Sequence, residues 1–264
     1  MRIALCIEYN GANYSGWQRQ QGTLCVQECV EDALEKISLT PIQVTCAGRT
    51  DAGVHATYQI IHFDTDVSRP IKAWTRGMNT HLPHDVAVKW AAFVDDEFHA
   101  RFSATSRRYR YIIYNDPLRP AILNGGLTHV YYPLNADLMN KAAQYLAGQH
   151  DFSSFRAANC QAKTAIRTIE KIQVFRLGKH IIMDVKANAF LHHMVRNIIG
   201  SLIVVGRELE PVSWLNQVLQ LRDRTKAAMT AKPNGLYLIE VDYPAQFDLP
   251  NSELGPLFLD LNNH

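Results

Sequence analysis

The sequence predicts an α+β protein. It should comprise two ferredoxin-like halves, each β-α-β-β-α-β, joined into one extended and mainly antiparallel sheet, with helices on one face and an active-site cleft between the halves. Three observations predict it. Short apolar runs with period two alternate with longer segments whose apolar residues recur at helical spacing. The order strand, helix, strand, strand, helix, strand occurs twice. No Pro/Gly-rich or low-complexity linker divides the chain.

In the first half, residues 2–10 read as a strand ending in a turn. Val26, Val30, Ala33, Leu34 and Ile37 then form the apolar stripe of a helix, with Glu28, Glu31, Asp32 and Glu35 on its outer face. Residues 42–46 and 58–63 read as strands flanking a glycine-containing loop. A second helix starts near Pro70 and carries Trp74 and Met78. Residues 86–93 close the half as a strand.

The second half repeats the order. Residues 108–115 form a strand with Tyr109, Tyr111 and Ile113 on one face and Arg108, Arg110 and Ile112 on the other. Leu138, Ala142, Tyr145 and Leu146 form a helical stripe, capped by Asn135 and ended by Gly148. Strands over 169–175 and 180–187 flank Gly178. A helix over 191–205, an extra helix over 214–221 and a strand over 237–243 follow. The domains are therefore expected at 1–103, carrying the loop around Asp51, and at 104–264, with the extra helix and an irregular tail. The boundary falls between residues 98 and 106.

Composition narrows the function. With 264 residues, 47% hydrophobic and 20% charged, the chain can bury a core without staples and is not a disordered segment. A net charge of +2 does not by itself imply a polyanionic partner. The placement of charge says more: residues 101–119 hold Arg101, Arg107, Arg108, Arg110 and Arg119 against the single acid Asp116. Cys6, Cys25, Cys29, Cys46 and Cys160 are an odd, scattered set, which is a poor disulfide framework and fits a reducing cytoplasmic setting. The apolar stretch 198–205 is far below the roughly 20 residues that span a bilayer, and residues 3–7 are too short a run for a secretory leader. No membrane association is expected.

Four clusters carry candidate chemistry. The densest is Cys46-Ala-Gly-Arg-Thr-Asp-Ala-Gly-Val-His55, joining two apolar strands. Gly48 and Gly53 permit tight turns and close approach of a ligand. Between them, Asp51 can act as nucleophile or base, with a nearby cation keeping it ionised; the plain alternative is a solvated loop with an Asx-turn. In Ser106-Arg-Arg-Tyr-Arg-Tyr-Ile-Ile-Tyr114, Arg interleaved with Tyr suits RNA, where Arg meets phosphate and rings stack on unpaired bases. The alternative is a strand with Arg on its wet face and Tyr in the core. In Phe190-Leu-His-His-Met-Val-Arg-Asn-Ile-Ile199, His192 and His193 point about 100° apart on a helix and are poor joint ligands; Arg196 is a surface ion pair or the partner of a buried carboxylate. Lys232-Pro-Asn-Gly-Leu-Tyr-Leu238 leads from a turn into a strand. No phosphate-binding loop, dinucleotide fingerprint, nucleophile elbow or zinc deaminase signature is present.

These residues together resemble a family. Gly48-Arg-Thr-Asp-Ala-Gly-Val-His55 is similar to the catalytic loop of the tRNA pseudouridine synthases of the TruA type. Asn13-Tyr-Ser-Gly-Trp-Gln-Arg19, Arg107-Arg-Tyr-Arg-Tyr111, His192-His-Met-Val-Arg-Asn197, Gly235-Leu-Tyr-Leu238 and Gly255-Pro-Leu-Phe258 match in order. The resemblance implies isomerisation of uridine to pseudouridine at positions 38, 39 and 40 of the tRNA anticodon stem-loop, without cofactor or metal. It makes Asp51 the essential aspartate and Tyr109 the ring that stacks on the target base. Arg49 becomes the side chain that helps extrude the base, Arg196 the basic partner of the aspartate, and Leu236 the apolar residue beneath the uracil. It also implies a homodimer, with one tRNA bridging both subunits.

The chemistry suits these roles. A flipped base costs a few kcal/mol of lost stacking, so the site needs an apolar pocket and a substitute for the base. Binding should rest on phosphates, for which Arg69, Arg101, Arg107, Arg108 and Arg110 are the candidate track. Two other readings remain: a non-catalytic RNA-binding module, which has no need of an acid facing a polyanion, and a hydrolase pairing Asp51 with His55.

Overall fold

The strand over Arg2–Tyr9 (β1) starts the first of two compact units into which the chain divides, residues 1–105 with those from Tyr237 on, and residues 106–236. The computed structural model describes residues 1–251 and 253–259; the end of the expected tail, 260–264, and Ser252 lie outside the described residues. Ile3 to Ile7 are fully buried on both faces of β1, which explains their unbroken apolar run. β1 is antiparallel to two strands, whose ranges are β3 (His55–Asp64) and β4 (Val86–Val94).

The helix α1 (Val26–Ser38) buries Val26, Val30, Ala33 and Leu34 as its periodicity predicts. Glu31, expected outside, is buried instead. Its carboxylate accepts Gln27 Nε2 at 2.8 Å, Arg19 Nη1 at 3.1 Å and the Val44 N–H at 3.1 Å, so the charge is compensated where it sits. The strand expected over 42–46 shortens to β2 (Thr45–Cys46), paired with β3. The second helix of this unit is a π turn over Ala73–Gly77 running into α2 (Met78–His81), with Trp74 buried against Phe63.

In the second unit the strand order is β5 (Ser106–Asn115), β9 (His180–Ala187), β8 (Ile166–Leu177) and β7 (Gly148–Asp151), all antiparallel. β6 (Thr128–Val130) runs parallel to β5. β6 and β7 were not expected from the sequence, since neither is long enough to show a period. The helix α3 (Ala136–Ala143) is capped by Asn135 Oδ1 on the Leu138 N–H, as expected. It ends early, in a 3-10 turn, so Met139 rather than Tyr145 faces the core, and Gly148 opens β7 instead of closing the helix. α4 (Met194–Gly206) and α5 (Trp214–Leu221) complete the unit.

The last strand, β10 (Leu236–Asp242), pairs in parallel with β3 through Tyr237 opposite His55 and Leu238 opposite Ala56. That pairing is why the chain beyond Tyr237 groups with residues 1–105 rather than with the half that precedes it in sequence. The α+β class and the mainly antiparallel pairing are as the sequence predicts.

Candidate active site

Asp51 sits on a loop whose backbone is fixed from several sides. The Val54 N–H donates to the Asp51 carbonyl at 3.1 Å, closing a turn in which Gly53 takes φ 76°. The turn is closed by main chain, so it does not depend on an Asx contact from the Asp51 side chain. Thr50 is buried; its hydroxyl meets Tyr9 OH at 2.7 Å, and its carbonyl accepts the Trp17 N–H at 3.0 Å. Gly53 N–H donates to Tyr14 O at 3.2 Å. On the other side of the loop, the Ala47 N–H donates to Ile60 O at 2.8 Å, and Gln59 holds Gly48 through both its amide atoms.

The segment 14–17 is pressed against this turn. Gly16 takes φ 97°, and a Cβ there would lie 2.7 Å from the Thr50 carbonyl oxygen and 3.1 Å from the Asp51 carbonyl carbon. Gly11 is closer still, with its Cβ position 1.9 Å from Val54 O. Gly16 explains the Asn13–Arg19 motif physically, with Gly11 just before it: the segment is the brace of the Asp51 turn. Sequence reasoning matched this motif without giving it a task; Gly between two aromatics is the signal that could have done so.

His55 is buried at 2% exposure. Its Nδ1 accepts the Gly11 N–H at 3.0 Å and its ring stacks on Tyr237 at 4.6 Å. This is a holding role at the base of the loop, and it occupies one of the two ring nitrogens. Arg49 is exposed on the same loop as Asp51. Burial pushes the Cys46 thiol up to about 11, with the charges of Arg49 and Arg101 opposing the shift.

In the second unit Tyr109 is buried on β5, opposite Val185, with Phe190 edge-on at 5.1 Å. Arg196 lies in the first turn of α4. Its Nε donates to Ala231 O at 2.9 Å, and its own carbonyl accepts the Ala231 N–H at 3.1 Å. The strap 229–236 is fixed along its length. Gly200 admits it, since a Cβ there would meet Met229 O at 2.1 Å. Thr230 Oγ1 and Arg224 Nη2 both donate to the buried Asn197 Oδ1. Tyr111 OH donates to Lys232 O at 2.7 Å while meeting Thr128 Oγ1 at 2.7 Å. Gly235 passes so close to Ile112 O that a Cβ would lie 2.4 Å away. The strap thus delivers buried Leu236 from the Arg196 end of α4 to the flank of β5.

Two expectations need correction. His193 adopts φ 61° just before α4, so His192 and His193 do not diverge as helical neighbours; their rings lie 4.0 Å apart. The Arg face of β5 is not wet. Arg108 Nε reaches Asp184 Oδ1 at 2.6 Å and Arg110 Nε reaches Asp184 Oδ2 at 3.0 Å, with Arg110 and Asp184 buried. These two arginines are structural and drop out of the phosphate track. Arg69 and Arg101 are exposed and Arg107 is half-buried.

Comparison with known proteins follows the same residues. The family described as tRNA pseudouridine synthase matches residues 5–103 and 142–244. A protein of Pseudoalteromonas atlantica described as tRNA pseudouridine synthase A is 59% identical over 259 residues, covering 98% of each chain. Proteins of the same description from Idiomarina loihiensis and Yersinia pestis are each 58% identical over 259 residues, covering 98% of this chain and 99% and 98% of theirs.

Proposed function

The chain belongs to the tRNA pseudouridine synthase family, and from that premise we propose that it isomerises uridines 38, 39 and 40 in the anticodon stem-loop of tRNA, with Asp51 starting the reaction. The N1–C1′ bond breaks, the uracil turns while held, and C5 bonds to C1′. The C5 proton is lost and N1 takes one up, so the product is an isomer and no co-reactant is consumed. Asp51 begins this either by attacking the sugar or C6, or by removing the 2′ proton.

The observation that supports this reading most is the Asp51 turn itself. Its carboxylate stands half-buried on a backbone pinned by Tyr9, Tyr14, Gly16 and Trp17. A purely RNA-binding loop gains nothing from a fixed acid aimed at a polyanion, whereas a reacting carboxylate needs its position held to a fraction of an ångström.

The remaining residues take roles by their chemistry. Tyr109 offers a ring to the flipped base, Leu236 an apolar surface beneath it, and Arg196, locked to Ala231, a fixed positive charge. Arg49 substitutes for the base in the stack. Arg69, Arg101 and Arg107 contact phosphates. We further propose a homodimer acting in the cytoplasm; no helix among the described residues is long and apolar enough to cross a membrane.

The test uses an unmodified tRNA transcript tritiated at uridine C5. Release of tritium to water, mapped to positions 38–40, supports the proposal. Intact label after prolonged incubation, or release from other positions alone, contradicts it.

A further inference from the structure

We propose that Phe102 is a stacking ledge for an unpaired nucleobase of the bound tRNA, with Arg101 beside it for the adjoining phosphate; this rests on the reading of the protein as a tRNA-modifying enzyme. Phe102 is 76% exposed, an unusual state for a large aromatic ring. The exposure does not come from a slack loop. The Ser103 N–H donates to His99 O at 2.9 Å, and the His99 N–H donates to Ser103 Oγ at 3.0 Å. His99 Nδ1 accepts the N–H groups of Arg101 and Phe102, each at 3.2 Å. Beneath them the Ala100 N–H donates to His62 Nδ1 at 3.2 Å, and Tyr243 OH donates to Ala100 O at 2.6 Å. Every residue from 99 to 103 is tied down, and Phe102 is held outward.

The surroundings of the ring select the occupant. One side of Phe102 lies against His99, with centroids 4.3 Å apart and planes 31° apart, and His99 in turn contacts His62 at 4.8 Å. Arg101 Cζ lies over the ring, 5.5 Å from its centroid. Its aromatic and cationic neighbours are an imidazole and a guanidinium, a setting that suits a flat aromatic group attached to an anion. A protein partner's apolar surface would leave the exposed guanidinium poorly solvated. The ledge also belongs to the unit that carries Asp51.

The test compares binding of one unmodified tRNA transcript by full-length variants across a salt series. Phe102→Ala should weaken binding about 5- to 50-fold, in the range expected for one lost stack, while the slope of log Kd against log salt stays as in the wild type. Phe102→Trp should restore affinity to within about twofold. Arg101→Ala should lower that slope by about one, as loss of a phosphate contact does. Binding by Phe102→Ala within twofold of wild type overturns the proposal. So does an equal loss in Phe102→Ala and Phe102→Trp accompanied by a lowered melting temperature, since that marks a folding role. Tritium release by wild type with no Phe102 effect removes only the ledge. A Phe102 effect on binding with no tritium release removes only the synthase reading.

Discussion

Arg110 Nε and the Asp184 carboxylate meet at 3.0 Å with both side chains nearly out of water, and Arg108 closes on the same carboxylate at 2.6 Å. One acid thus holds two guanidinium groups between β5 and β9. Asp184→Asn keeps the shape but removes the charge between them. It should destabilise the protein by about 3–5 kcal/mol, the usual consequence of removing one partner from a buried ion cluster. Urea unfolding measures this; a loss below about 1 kcal/mol would return Arg108 and Arg110 to the list of residues available for RNA.

Gly16→Ala tests the brace of the Asp51 turn. The new methyl meets the Thr50 carbonyl at 2.7 Å from a backbone at φ 97°. Turn and brace must separate, at a cost of at least about 1–3 kcal/mol. Turnover should fall more than tenfold in protein that is still folded, because the displacement falls on Asp51. Unchanged turnover in a stable variant would show that the brace does not position the acid.

Tyr111→Phe removes the hydroxyl that joins Thr128 to Lys232 O. Loss of this buried link should cost about 1–2 kcal/mol. Since the strap carries Leu236, KM for tRNA and kcat should both shift while Tyr109 keeps its place. Full activity with wild-type stability would mean that the strap is held without it.

Acid should weaken the ledge under Phe102. Burial, then the charges of His99 and Arg2, lower His62 from the ordinary 6.5 to about 4. The folded protein therefore binds fewer protons at this site than the unfolded chain between those values. Its stabilising contribution is complete above about pH 6.5 and is lost as pH falls toward 4. His62→Asn keeps an oxygen that can accept the Ala100 N–H and does not titrate. The melting temperature of the wild type should fall more steeply between pH 6.5 and 4.5 than that of His62→Asn. Parallel curves would assign the acid sensitivity elsewhere.

The long elements were legible because their periodicity is strong: the α1 stripe from Val26 to Leu34, the apolar run of β1 and the Asn135 cap all stand in the structure where their side chains predict. What was not legible depends on contacts distant in sequence. Glu31 reads as surface until Arg19, Gln27 and Val44 N–H surround it, and Arg110 reads as wet until Asp184, 74 residues on, is placed beside it. The Asp51 loop stood out as a polar, glycine-flanked interruption between apolar strands. Its support did not, because Gly11 and Gly16 act through close backbone approach to residues 50–54 and Tyr9 through a hydroxyl contact with Thr50, 41 residues on. The left-handed turn at His193 was hidden because a positive φ is uncommon for any non-glycine residue, even histidine, in which it is enriched.

The most direct measurement is turnover by Asp51→Asn on C5-tritiated tRNA, paired with its tRNA affinity. The neutral isostere cannot serve as nucleophile or base, yet it leaves the main-chain turn and its Val54 contact in place. Affinity within a few-fold of wild type with tritium release reduced at least 1,000-fold, roughly 4 kcal/mol of barrier, is the predicted result. Substantial release by this variant, with the label leaving from the same uridines, would contradict the central role assigned to Asp51.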